Sequence, residues 1–235
     1  NINGFGNILE ICKDYKIDHL VYASSSSVYG GNCQLPYSEI NSVDHPVSIY
    51  AATKKSNELM AHAYSHLYSL PATGLRFFTV YGPWGRPDMS YFLFTKAIFE
   101  DKTIDVFNYG EMERDFTFVD DIIESIIRLI IKPPSSNKKF DRQNPDIASS
   151  WAPHRIFNIG NSNSINLGLF IATLEELIGK KAKKNFLPMP KGDVQNTLAD
   201  TKSLEAYINF KPKTSIKDGL KKFLIWYKDF YGINQ

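Results

Sequence analysis

The chain has 235 residues, 43% hydrophobic and 22% charged, and a formal net charge of +2, the balance of a globular chain long enough for one large or two small domains with a buried core. It carries no basic tract of the kind that binds nucleic acid or membrane lipid, and its two cysteines, Cys12 and Cys33, exclude a disulfide scaffold and make a reducing, cytoplasmic setting the default. No apolar run reaches membrane-spanning length, since the best candidate, 122–131, is interrupted by Glu124 and Arg128.

The sequence opens Asn1-Ile2-Asn3-Gly4, without an initiator methionine and already inside a helical pattern, so no signal peptide is expected ahead of the first helix. Phe5, Ile8, Leu9, Cys12 and Tyr15 fall on one stripe. It reads as if it starts in the middle of a domain. His19-Leu20-Val21-Tyr22-Ala23-Ser24 is a short apolar run of the kind that forms a buried parallel strand. It runs into Ser24-Ser25-Ser26-Ser27-Val28-Tyr29-Gly30, and the carboxyl end of such a strand is where α/β sheets place their chemistry. A loop with Gly30, Gly31 and Pro36 precedes a long predicted helix, 47–68.

A second strand is expected over 75–80, closed by the turn Gly82-Pro83-Trp84-Gly85. The pattern then predicts a helix at 91–99, strands at 104–107 and 115–119, and a helix capped by Asp120 and running to 131. Residues 132–154 are rich in Pro, Ser, Asn and Lys and read as an exposed loop. A strand and turn at 155–160 and helices at 167–178, 201–207 and 216–231 complete the chain. Strands alternating with helices indicate an α/β fold with a largely parallel sheet.

Chemistry concentrates in Tyr50-Ala51-Ala52-Thr53-Lys54. Four residues apart, the tyrosine and lysine share one helix face. An ammonium beside a phenol favours the phenolate, which makes a proton-transfer base, and a hydroxyl from the serine run would complete the relay. Alone the Tyr-Lys pair is a weak signal, common on solvated helix faces; the serine run at the right distance makes it strong. The five histidines lack metal-ligand spacing with acidic partners, so no metal is expected, although His62 and His66 sit one turn apart and could pair as zinc ligands. Tyr64, Tyr68, Phe92 and Phe94 read as core or interface packing.

Together the serine run, the Tyr-Lys pair, Arg76-Phe77-Phe78-Thr79-Val80-Tyr81-Gly82-Pro83, Arg114-Asp115-Phe116 and Gly192-Asp193-Val194 resemble the extended short-chain dehydrogenase/reductase family over essentially the whole chain. The stretch Thr79-Val80-Tyr81-Gly82-Pro83-Trp84-Gly85-Arg86-Pro87-Asp88-Met89, with Leu187-Pro188-Met189-Pro190, is most similar to its UDP-glucuronate 4-epimerase branch. The resemblance implies an incomplete Rossmann-type doubly wound parallel sheet with a smaller C-terminal substrate-binding domain. Residues 1–82 would be the later half of the NAD-binding domain and 83–235 mainly the substrate domain, with segments near 115–132 and 156–161 returning to the Rossmann part. The family's glycine-rich pyrophosphate turn has no counterpart, because Gly4-Phe5-Gly6 falls inside the first helix, so about a third of the family's length is expected to be missing.

The family's chemistry further implies a tightly held NAD that takes hydride from C4 of a UDP-hexuronate and returns it to the opposite face. Tyr50 would be the base, Lys54 its tuning cation and ribose ligand, and Ser25 the relay hydroxyl. Ala23, Ser24 and Phe77 would line the cofactor. Ser26, Ser27 and Thr79 would meet the sugar, Arg86 and Arg114 the phosphates, Val106 to Asn108 the uracil, and Asp193 the uridine ribose or an arginine. A homodimer through the first helix and the helix bearing Tyr50 is expected from the family. Relatives that eliminate water carry Asp-Glu before the valine, and UDP-glucuronate decarboxylases keep a Glu there; here those positions are Ser26 and Ser27, which favours plain epimerisation. The alternatives are another UDP-sugar epimerase, a decarboxylase, and a nucleotide-sugar-binding remnant without catalysis.

Overall fold

A computed structural model describes residues 1–190 and 194–233. In chain order the elements are α1 (Ile2–Asp14), β1 (Leu20–Ala23), α2 (Ile49–Tyr68), β2 (Ala72–Phe77), β3 (Thr79–Tyr81), α3 (Ser90–Phe99), β4 (Thr103–Phe107), β5 (Glu113–Phe118), α4 (Val119–Ile130), β6 (His154–Ile159), β7 (Ser164–Asn166), α5 (Leu167–Ile178), β8 (Lys183–Leu187), α6 (Lys202–Ile208) and α7 (Ile216–Tyr231). They divide into two compact units, 1–78 with 124–160 and 199–211, and 79–123 with 161–198 and 212–235.

The first unit is built on a three-stranded sheet in the order β1-β2-β6, parallel throughout. Parallel strands are covered on both faces, and five of the six residues of β2 are buried. One face is closed by α1 and α2 through Leu9, Cys12, Tyr22, Ala61, Leu70 and Ala72. A second cluster, Val28, Tyr29, Tyr37, Val43, Phe78 and Ala199, lies under the serine run. There the rings of Tyr29 and Tyr37 stack 4.6 Å apart.

The second unit holds the sheet β3-β5-β7 and the pair β4-β8. Its core draws on α3, α5 and α7, with Phe170, Leu174, Leu220 and Phe223 fully buried. Helix α7 approaches Tyr81 so closely that a Cβ at Gly219 would sit 2.1 Å from the tyrosine oxygen. Only glycine permits that contact.

The α/β class expected from the sequence is the class observed, with differences in detail. The single strand expected at 75–80 is two, β2 and β3. The Phe78 amide donates to Ile159 O (3.2 Å), after which Thr79–Tyr81 pairs with Phe116–Phe118 instead. The boundary between units therefore falls at 78/79. Residues 115–123 stay in the second unit, since β5 pairs with β3 and β7, while 199–211 joins the first. Asp120 sits inside the first turn of α4 rather than capping it, and its carboxylate faces Lys222 Nζ at 3.4 Å. Strands β7 and β8 were not expected. The 132–154 loop ends in the buried His154 of β6.

Candidate active site

Strand β1 delivers its last residue, the exposed Ala23, to the sheet's carboxyl edge, where the Ser24 amide bonds Leu75 O at 2.8 Å. The chain turns at once into a 3-10 helix, Ser26–Tyr29. Ser25 caps it: its hydroxyl accepts from the Ser27 amide (3.2 Å) and donates to Ser27 Oγ (3.0 Å). A serine in extended backbone ahead of a helical turn does this routinely. Gly30 closes the turn at φ +56°, with its missing Cβ only 2.1 Å from where His45 O lies.

Helix α2 begins at a second serine cap, Ser48 Oγ accepting from the Ala51 amide at 3.1 Å. That fixes Tyr50 in the first turn, 49% exposed, and Lys54 in the next. The Lys54 ammonium lies 5.9 Å from the Tyr50 ring centroid and donates to Ala23 O at 2.9 Å. The Tyr50 helix is thereby tied to the strand end carrying Ser25. Ser26 and Ser27 are half-buried beside it, and Phe77, at the end of β2, is half-buried as well. The hydroxyl of Ser24 points elsewhere: it is buried and donates to Glu58 Oε1 at 2.6 Å.

Behind the serines lies a buried polar network that has no counterpart among the sequence-based expectations. Glu58 takes Arg76 in a two-pronged pair, Nε–Oε1 2.8 Å and Nη2–Oε2 2.9 Å. Burial opposes the guanidinium's charge, but the bonds and charge of Glu58 outweigh it and keep Arg76 cationic. The Arg76 guanidinium carbon lies 5.0 Å from the Tyr29 ring centroid, and Tyr29 donates to Asn158 Oδ1 at 2.6 Å. Burial raises the Tyr29 phenol to about 12, against the opposing pull of Arg76. The only forewarning was that Glu58 stands one turn beyond Lys54 on the same face.

In the second unit Arg114 lines a cavity of about 220 Å³ together with Ser90, Phe94, Phe107, Met112 and Ile165. Its Nη1 is steered by the carbonyls of Glu113 (3.0 Å) and Gln195 (2.8 Å). A wider cavity of about 460 Å³ shares Ser90, Phe94 and Phe107. The Val106 side chain is core, 1% exposed, not cavity lining; strand alternation turns its neighbour Phe107 into both cavities instead. Asn108 is half-buried and opens a run of left-handed residues, Asn108, Tyr109 and Gly110, at φ +46°, +52° and +89°. Thr79 starts β3, half-buried. Arg86 is exposed and paired with Asp88, which holds that carboxyl below its ordinary range. Asp193 lies outside the described residues.

The histidine pair has another occupation. His66 Nδ1 accepts from the Trp151 indole at 3.0 Å, and His62 meets the rings of Trp151 and His154 edge-on at 5.4 Å. Among the described residues no group of three or more His, Cys, Asp or Glu could hold a metal ion. No helix among them is long and apolar enough to cross a membrane.

The chain is 60% identical over 233 residues to an uncharacterized 37.6 kDa protein of Escherichia coli O111:H-, covering 99% of this chain and 70% of that one. It is 47% identical to a probable UDP-glucuronate 4-epimerase of Rhizobium meliloti, covering 98% of this chain and 68% of the relative. The crystal structure of UDP-glucuronic acid 4-epimerase from Bacillus cereus, in complex with UDP-glucuronic acid and NAD, superposes with a TM-score of 0.79 at 33% identity, covering 97% of this chain and 67% of that one. The pattern of the NAD dependent epimerase/dehydratase family matches residues 1–160, and the chain belongs to that family.

Proposed function

We propose that this chain carries the acid–base and sugar-nucleotide machinery of an NAD-dependent C4 epimerase acting on a UDP-hexuronate, converting UDP-glucuronate to UDP-galacturonate through a 4-keto sugar. The observation that carries the reading is the Lys54–Ala23 bond, which joins the Tyr50 helix to the serine segment. Bound NAD would supply the hydride acceptor and donor for C4. The residues present suit that cofactor: an ammonium has three donors, one of Lys54's goes to Ala23 O, and two suit the vicinal hydroxyls of a ribose. Ala23, Ser24 and Phe77 would line the nicotinamide through backbone and ring.

Tyr50 removes the C4 hydroxyl proton as the carbonyl forms and returns it when the sugar is reduced. Lys54 supplies the positive charge that favours the phenolate. Ser25 bridges the sugar oxygen and the tyrosine; its bond to Ser27 Oγ is the one it would exchange for substrate. Arg114 and, from its exposed loop, Arg86 bind the diphosphate. Phe107 and Asn108, with the backbone of Val106, flank the uracil, and Asp193 the uridine ribose.

A 4-keto uronate is a β-keto acid and loses carbon dioxide readily. Neutral donors on Ser26, Ser27 and Thr79 would hold the carboxylate in the sugar plane, where its C–C bond aligns poorly with the ketone. Ser26 and Ser27 also leave no acid for elimination at the positions where dehydratases carry Asp-Glu. The family resemblance supports a homodimer through α1 and α2, whose exposed Ile8, Ile11, Leu59 and Leu67 suit a helical interface. Both cysteines are free, in keeping with a reducing, cytoplasmic setting.

The test is incubation of the NAD-loaded full-length protein with UDP-glucuronate, with products followed by NMR. UDP-galacturonate is expected. UDP-pentose as the main product contradicts the carboxylate-holding role, and no turnover contradicts the enzyme reading.

A further inference from the structure

Glu58 lies on α2 four residues after Lys54 and eight after Tyr50, on the same face. Its carboxylate is buried and shared. Oε1 accepts from Ser24 Oγ (2.6 Å) and from Arg76 Nε (2.8 Å), and Oε2 from Arg76 Nη2 (2.9 Å). One turn earlier, Lys54 Nζ donates to Ala23 O. Two successive residues at the end of β1 are thus bonded to two successive turns of α2. Ser25, the next residue, is the relay candidate.

A buried ion pair is a poor device for stability alone, because apolar residues of the same volume hold a fold as well or better. An apolar pair cannot give Ser24 a directional bond. Arg76 orients the carboxylate: it comes from β2, is fully buried, and lies against the ring of Tyr29, the last residue of the serine turn. One carboxylate therefore meets the strand end before the serine turn directly, and the far end of that turn through Arg76.

We infer that Glu58 is a positioning residue: held by Arg76, it fixes through Ser24 the register between the helix carrying Tyr50 and Lys54 and the segment carrying Ser25. What the positioned groups do rests on the proposed epimerase function; that the clamp exists does not. Misplacement of a relay group by about 1 Å suffices for a large loss in rate with little change in binding.

Ser24→Ala tests this, since it deletes one hydroxyl and leaves the ion pair intact. In the NAD-loaded full-length protein, kcat should fall about tenfold while KM for UDP-glucuronate stays within about twofold, and Ser24→Thr, which keeps the hydroxyl, should recover most of the loss. Amide exchange across residues 24–29 should quicken in Ser24→Ala by more than it does in the rest of the chain, beyond what the modest fall in melting temperature accounts for. A Ser24→Ala variant with wild-type kcat, or one whose loss is all in KM, overturns the positioning role. If wild-type protein does not convert UDP-glucuronate at all, the proposed function falls, and the exchange rates at 24–29 decide alone: quickened exchange upholds the clamp and unchanged exchange overturns it.

Discussion

Arg76 and Glu58 share two parallel hydrogen bonds, 2.8 and 2.9 Å long, with both side chains out of solvent. Neither charge has water to fall back on. Arg76→Met should cost about 3–5 kcal/mol by stranding the Glu58 carboxylate, whereas Arg76→Met combined with Glu58→Leu should cost much less. Urea unfolding of both variants checks this. Equal losses would mean the charges are not acting as a pair.

His154 Nε2 lies 2.9 Å from the Tyr22 hydroxyl in a buried site. Burial, helped by the nearby His62, lowers its pKa to about 3. The folded protein thus resists a proton that the unfolded chain takes up near the ordinary value of about 6.5. Stability is intact above that pH and falls on acidification from about 6.5 toward 3, by up to ~1.4 kcal/mol per pH unit from this group. His154→Gln keeps an acceptor for Tyr22 and cannot titrate, so its melting temperature should vary less across pH 4–6.5. Parallel curves for the two proteins would remove His154 as the cause.

Gly30 ends the serine turn at φ +56°, where an added Cβ would meet His45 O at 2.1 Å and the neighbouring backbone close behind. Gly30→Ala should cost at least about 2 kcal/mol, since left-handed backbone and a clash with a rigid carbonyl add together. Turnover should fall as well, because Ser25 and Ser27 ride on the same turn. Thermal denaturation and a rate assay on one preparation test both.

Arg114 lines its cavity with Nη1 held by two carbonyls, whereas Arg86 is exposed and paired to Asp88. Arg114→Ala should weaken UDP binding by about tenfold or more, and Arg86→Ala by less, because a fixed guanidinium loses less freedom on meeting a phosphate. Calorimetric titration with UDP ranks them. The reverse ranking would move the diphosphate toward Arg86.

Local signals were legible in the sequence; long-range pairing was not. Tyr50, Lys54 and the serine run could be read because a four-residue spacing and a strand end are properties of a few consecutive residues. The break at Phe78 is invisible in the unbroken strand-like run from Leu75 to Val80, because it depends on which strand each half pairs with. Strand β8, Lys183–Leu187, was missed because four of its five residues are exposed and two are lysines, as suits an edge strand. Within the expected 106–108 stretch, Phe107 rather than Val106 could have been singled out: Ile104 and Val106 are buried and Asp105 and Phe107 exposed, a plain alternation. The Glu58–Arg76–Ser24 network joins three elements 18 and 34 residues apart from Glu58, which no local pattern announces.

In the proposed reaction the Tyr50 hydroxyl carries the proton at C4. The most direct measurement is the single-turnover rate of NADH appearance when NAD-loaded Tyr50→Phe meets UDP-glucuronate, compared with wild type. A drop of at least ~100-fold with substrate affinity retained is the predicted result. Equal rates in the two proteins would contradict it.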